Sequence, residues 1–297
     1  MRPEAIGRIA RLHRIRNTQF IMGATPPQPQ FIVQDRPLLI GPVLAEFGHE
    51  LCIAAMARKR ARWYKNVIVS TLPERQALYA DFKPTFRPHD IRVECSVVSP
   101  VGTPPWDRIR AVGMHEGDSF RICEYTNYMC DRAEWIVYGE PKAEYKGVVV
   151  VHARSRNHVL ARNWPISAWQ KVVTFLHGRG IKRIVSIGTM KDACHVPETE
   201  DMRGIDLAEL MNVLRSALLA VGPSSGPMHL ASLCKCPHVV WCGGARSERM
   251  HTALRYRSLW NPYGTPCMAV PFATWRPPAA EVVRWLTEFM EAQAQNE

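Results

Sequence analysis

Short apolar-rich runs alternate with amphipathic stretches along this sequence. The segments 37–43, 66–70 and 91–98 are rich in Val, Ile and Leu and too short for stable helices, so they read as strands. Between them, 50–64 and 76–82 carry helical spacing. A second run repeats the alternation. Strands are predicted over 147–151, 181–187, 217–221 and 238–242, and helices over 166–177, 206–216, 228–233 and 279–292. The last helix places Val282, Val283, Leu286 and Met290 on one face. Strand-helix alternation of this kind builds parallel sheets covered on both faces. An α/β protein with two Rossmann-like halves facing across a cleft is expected, with no internal sequence repeat. Residues 1–17 have Ile6, Ile9, Leu12 and Ile15 at helical spacing among five arginines, which predicts a basic amphipathic helix. Thr25-Pro-Pro-Gln-Pro-Gln30 reads as an extended linker, and 99–145 as irregular chain.

The candidate chemistry collects where predicted strands end. Val221-Gly-Pro-Ser-Ser-Gly-Pro-Met-His-Leu-Ala231 runs from a strand through a turn into a helix start. Free backbone N–H groups and the positive end of the helix dipole make such a turn an anion site. Gly226 permits close approach, Pro227 suits the first helical turn, and the Ser224 and Ser225 hydroxyls can cap the helix or bond a phosphate. A second cluster, His152-Ala-Arg-Ser-Arg156, follows another strand, and Ala161-Arg-Asn-Trp-Pro165 follows shortly after. Ligands of open α/β sheets bind beyond the carboxyl ends of the strands. Arg154, Ser155, Arg156 and Arg162 are therefore expected on the same edge as the 224–229 turn, clamping a diphosphate. Gly188 and Thr189, at the end of the strand 181–187, are counted with them. Glu46-Phe-Gly-His-Glu50 lies on the first strand-to-helix turn. Glu46, His49 or Glu50 there can act as general base toward an acceptor hydroxyl. Glu50 also suits a helix start for electrostatic reasons alone.

Charge then narrows the partner. The net charge is +11, carried by 29 Arg and 9 Lys, which fits an anionic partner. Arg8 and Arg11 of the first helix, and Arg58, Arg60 and Arg62 of the patch Arg58-Lys-Arg-Ala-Arg62, are the candidate contacts to DNA or another acidic acceptor. No apolar run reaches the ~18 residues of a membrane span. Met1-Arg-Pro-Glu-Ala has no apolar signal core, and the nine scattered cysteines lack framework spacing, so a cytoplasmic location with reduced thiols is expected. Cys234, Cys236 and Cys242, with His229 and His238, lack the spacing of a zinc ribbon or finger. There is neither an Asp-x-Asp pair nor a P-loop. No metal or other cofactor is expected.

Taken together, these motifs resemble the heptosyltransferase family of GT-B glycosyltransferases (glycosyltransferase family 9), mainly over 147–243. The 221–231 segment is similar to the family's donor-site signature, Arg162-Asn-Trp-Pro165 to its basic-x-Trp-Pro segment, and Asp206-Leu-Ala-Glu-Leu210 occupies the place of its Leu-rich helix. The resemblance implies a nucleotide-sugar donor held by a second domain over 146–278. Arg162 would lie near the donor phosphates, with Ser225, Gly226, Met228 and His229 in the helix-start loop around the donor. It implies an acceptor-side domain over 31–145 that supplies the base, behind the basic helix and linker of 1–30. The final helix, 279–297, would be of the kind that crosses back to the first domain. Ser224 stands where the family usually has Asp, and Gly48-His49 where it has Gly-Asp.

The expected function is metal-independent transfer of a sugar from a nucleotide-sugar to a hydroxyl. A hydroxymethylated pyrimidine in DNA is the first acceptor, favoured by the charge. An acidic glycolipid at a membrane surface, the heptosyltransferase-like reading, is the alternative. A non-catalytic nucleotide- or nucleic-acid-binding protein on the same frame is a third.

Overall fold

In a computed structural model the described residues are 35, 37–90, 92, 133–157 and 159–295. The predicted N-terminal helix with Arg8 and Arg11, the linker and the strand over 91–98 (apart from Arg92) lie outside them. So does 99–132 of the irregular stretch.

Two parallel sheets organise the described chain. The first has the order β1-β2-β3, from Leu38–Ile40, Val67–Val69 and Thr85–Phe86. The second has the order β6-β5-β4-β7-β8-β9. Its strands are β4 (Val149–Val151), β5 (Ile184–Ser186), β6 (Glu200–Asp201), β7 (Leu219–Pro223), β8 (His238–Cys242) and β9 (Cys267–Pro271). Every pairing in it is parallel, with Val150 opposite both Val185 and Ala220. The helices are α1 (Phe47–Ala61), α2 (Ile166–Gly178), α3 (Leu207–Ser216), α4 (Gly226–Leu233), α5 (Arg246–Ser258) and α6 (Ala279–Ala294).

The period of two along each strand divides the core. Val149, Val151, Val221, Val239 and Trp241 face one way, onto Trp169, Val172 and Val173 of α2 and Val282, Trp285 and Leu286 of α6. Val150, Ala220 and Val240 face the other way. There they share a core with Leu230 and Leu233 of α4 and with Leu51, Ala54 and Met56 of α1. Helix α1 is buried on nearly every side because it sits between the two sheets' cores. The apolar face of α6 packs against α2 and the second sheet.

Several elements differ from their sequence-based limits. Strand β1 stops at Ile40 because Gly41 takes φ +109° and Pro42 has no N–H to extend a ladder. Helix α1 starts three residues earlier than predicted, at Phe47, which makes Glu46 its N-cap residue. The helix expected over 76–82 is instead two 3-10 turns, Pro73–Leu78 and Ala80–Phe82. Helix α5 and strand β9 were not predicted. The first reads as arginine-rich and polar, and the second lies between prolines. Asp206 caps α3 by accepting from the Glu209 N–H at 2.8 Å.

Candidate functional site

All six strands of the second sheet are parallel, so the chain leaves β4, β5, β7, β8 and β9 along one carboxyl edge. That edge holds the loop after β4, the turn after β5 and the start of α4. A cluster of three indoles holds the loop in place. Trp164 lies 5.0 Å from Trp169 and 5.2 Å from Trp241 between ring centroids, and its Nε1 donates to Pro277 O at 2.8 Å. With Trp164 pinned, Arg162 and Asn163 are presented at the edge.

Asn163 organises the arginines. Its Oδ1 accepts from Arg154 Nη1 and, at 3.1 Å, from the Arg156 N–H, while its Nδ2 donates to Arg156 O at 2.8 Å. Arg154 is buried, and burial together with Arg162 and Arg156 pushes its guanidinium down to about 10. Arg162 lies 4.2 Å over the Trp275 ring and donates to Ser224 O, which ties the loop to the start of α4. His152 is buried beneath them, with Nδ1 3.0 Å from Ser225 Oγ. Burial, then Arg154 and Arg162, push its imidazole down to about 3, so the ring is neutral at pH 7. Three guanidinium groups thus depress titrating neighbours at one helix N-terminus, which is the electrostatic state an anion would relieve.

The turn after β5 completes this edge. Gly188 takes φ +125°, and a β-carbon there would meet Ala193 Cβ at 2.5 Å and the His152 ring at 3.3 Å. Thr189 Oγ1 accepts from the Asp192 N–H at 3.0 Å, and the Ser155 N–H donates to Asp192 O at 2.8 Å. Asn163, Asp192 and Trp275 were not among the sequence candidates. Asn163 lay inside the quoted Arg-Asn-Trp-Pro segment, whereas nothing local marks Asp192 or Trp275.

Glu46 meets this edge from the first half. Its Oε1 accepts from Arg156 Nη1 at 3.0 Å, and Arg156 Nε lies 3.6 Å from Asp192 Oδ1. The starts of α1 and α4 touch through glycine. A β-carbon on Gly48 would come within 2.7 Å of His229 Nδ1, and one on Gly226 within 2.7 Å of Phe47 Cδ1. His49 follows, half-buried, and burial lowers its pKa against the opposing pull of Glu46.

Known proteins share this fold and part of this sequence. Residues 126–255 match the family model for glycosyltransferase family 9 (heptosyltransferase). In structure, the chain is similar to the ADP-heptose lps heptosyltransferase II of E. coli. The TM-score is 0.56 at 12% identity, over 87% of this chain and 99% of that one. It is also similar to a glycosyl transferase family 9 protein from Veillonella parvula DSM 2008, with TM-score 0.53 at 11% identity over 81% of this chain and 86% of that one. No curated protein matches the chain in sequence. The matched segment is that of a glycosyltransferase, and the fold is GT-B. The segment contains Arg154–His229 but not Glu46–Glu50.

Four other expected residues are buried in packing contacts. Glu50 is fully buried, accepting from Thr71 Oγ1, from Arg75 Nη1 and, at 3.1 Å, from Tyr79 OH. Burial raises its pKa against these partners. It joins α1 to the Pro73–Leu78 turn and does not face the arginines. Met228 is also core, with Sδ lying under Gly222. Ser224 is buried and uses its backbone, N–H to Trp241 O at 2.8 Å and C=O to Arg162. His229 is buried and stacked 3.6 Å on Trp260, and neither ring nitrogen has a hydrogen-bond partner among the described residues.

The arginine patch of α1 also differs from the sequence expectation. Arg58 is buried, with its guanidinium donating to Asp81 Oδ2 at 2.5 Å, Glu134 O at 2.8 Å, Leu78 O at 3.1 Å and Tyr138 OH at 3.2 Å. It is a structural rivet and is not open to a phosphate. Arg62 is exposed but paired with Glu134, and Arg60 is half-buried. Among the described residues no group of three His, Cys, Asp or Glu side chains converges as a metal site. Cys234, Cys236 and Cys242 are buried free thiols, and His238 bonds Cys236 O at 2.9 Å and Ser232 Oγ at 3.3 Å. No described helix is long and apolar enough to cross a membrane.

Proposed function

We propose that this glycosyltransferase moves a heptose-like sugar from a nucleoside diphosphate donor to a hydroxyl of an acidic glycolipid. The donor binds to 146–278, with its diphosphate against Arg156, Arg162 and the start of α4, and with the buried Arg154 adding its charge from behind them. The acceptor enters from the 31–145 side. Its oxygen attacks the anomeric carbon, the bond from that carbon to the diphosphate oxygen breaks, and Glu46 takes the hydroxyl proton, with neutral His49 beside it. The arginines and the α4 N-terminus hold the charge that develops on the departing diphosphate. The observation that carries this reading is the triple-arginine edge organised by Asn163 and faced by Glu46.

The glycolipid takes precedence over DNA as acceptor. Nothing among the known proteins compared favours DNA, and one of its candidate contact patches, on α1, is largely engaged, with Arg58 buried and Arg62 ion-paired. The donor chemistry of the heptosyltransferase from E. coli makes ADP-heptose the first donor to test. The reaction proceeds without a metal, on the cytoplasmic side of a membrane.

The deciding experiment incubates the full chain with ADP-heptose, other nucleotide-sugars and a truncated lipopolysaccharide acceptor, with and without EDTA. ADP release that persists in EDTA is expected. No nucleotide release across the panel, with no nucleotide binding by calorimetry, overturns the reading.

A further inference from the structure

Two pairs of aliphatic side chains stand out into solvent, one in the loop after β4 and one on the helix that follows β8. Val159 and Leu160, in the loop after β4, are 43% and 60% exposed. Met250 and Leu254, on α5, are 59% and 63% exposed, and their spacing of four puts them on one helix face. Val159 is held at φ 54°, ψ 61°, a left-handed conformation that is costly for a β-branched residue. Its carbonyl accepts from Arg154 Nη1 at 3.3 Å and from the Arg162 N–H at 3.0 Å, so the strained residue is locked to the arginine cluster.

Segment 273–276 connects the two pairs. Arg276 Nη2 donates to Leu160 O at 2.8 Å, and Arg249 Nη1 donates to Ala273 O at 3.3 Å. Arg246 and Arg276 are exposed beside the aliphatics. Helix α5 contains four arginines against one glutamate. Aliphatic tips interleaved with guanidinium groups suit the interface of an anionic bilayer, where the former enter the acyl boundary and the latter meet headgroup phosphates. A nucleic-acid surface would use the arginines and gain nothing from four exposed aliphatic side chains.

We propose that Val159, Leu160, Met250 and Leu254, with Arg246 and Arg276, form a docking surface for an anionic lipid bilayer. This deepens the glycolipid reading and rests on it. The surface shares its edge with the candidate donor site, so docking there brings the mouth of the site to the bilayer that carries the acceptor.

The test needs neither donor nor acceptor. The full chain is sedimented with vesicles of phosphatidylglycerol and phosphatidylethanolamine, with vesicles of phosphatidylcholine alone, and titrated with duplex DNA. Binding to the phosphatidylglycerol vesicles is expected, falling by about tenfold or more in Met250→Ser/Leu254→Ser and in Leu160→Ser. ADP affinity and the thermal midpoint should be unchanged in these variants, which separates docking from folding. Absence of vesicle binding, equal binding to phosphatidylcholine, or unchanged binding by the variants overturns the proposal. Salt-sensitive DNA binding in place of vesicle binding overturns it as well. Vesicle binding without any turnover would leave the docking surface standing and count against the proposed reaction alone.

Discussion

Glu46 and Arg156 form an ion pair, Oε1 to Nη1 at 3.0 Å, that joins the N-cap of α1 to the loop after β4. Arg156 is shared with Asp192 at 3.6 Å. A diphosphate arriving at Arg156 competes with Glu46 for the same guanidinium. On the proposed reaction, donor binding would then release the Glu46 carboxylate toward the acceptor only when there is a sugar to transfer.

Replacing Glu46 by Gln tests this directly. The expected fall in kcat is about 100- to 10,000-fold, the range for loss of a general base. Affinity for the nucleoside diphosphate should hold or improve, because Arg156 loses a competitor. Turnover within a few-fold of the parent, in a steady-state assay, would assign the base elsewhere.

Arg162 lies over Trp275 and holds Ser224 O. Arg162→Ala should weaken nucleoside diphosphate binding by about 1.5–3 kcal/mol, the scale of hydrogen bonds to charged groups. Arg162→Lys should restore little, since an ammonium neither stacks as a plane nor forks. Calorimetric titration of both variants measures the difference.

Glu50→Ala should cost stability in place of chemistry. It leaves Arg75, only 19% exposed, without its carboxylate in the core, a loss of about 3–5 kcal/mol for a broken buried pair. Urea unfolding should show the whole effect, and the folded fraction should keep its nucleotide affinity.

Gly48→Ala puts a methyl group 2.7 Å from His229 Nδ1, where α1 and α4 touch. The overpacking should cost about 1–3 kcal/mol. It should also lower turnover more than donor affinity, because it separates the base-bearing turn from the donor edge. Equal effects on both, measured in one kinetic series, would mean that the contact serves folding only.

Acid should destabilise the fold through its buried imidazoles. His152 is held at about 3 and His238 at about 4, both mainly by burial, against an ordinary 6.5. Depressed values mean that the unfolded chain takes up protons first. Stability is therefore full above about pH 6.5 and falls as pH drops toward the folded values, by up to about 1.4 kcal/mol per pH unit for each ring. His152→Gln keeps a partner for Ser225 and should reduce the slope by about one proton. Urea midpoints between pH 7 and pH 4 give the slope, and an unchanged slope would remove His152 from this account.

Much of this architecture can be read along the chain. The alternation of buried runs and amphipathic stretches set the parallel sheets, and β8 was read at its observed limits, 238–242. Because every strand of the second sheet runs the same way, Arg154, Arg162 and the 224–229 turn had to emerge along one edge. Local pattern had no means of separating Glu46 from Glu50. They lie four residues apart at one helix start, yet Arg75, Thr71 and Tyr79 take Glu50 into the core while Arg156 holds Glu46 at the edge. Arg58 looked like part of a solvated basic patch until Asp81, Glu134 and Tyr138 closed around it. Periodicity and strand polarity are local properties, so the residue order dictates the sheets and the edge at which the chemistry collects. Burial and charge pairing depend on partners tens to hundreds of residues away, so which carboxylate and which arginines face the cleft was decided only when the chain packed.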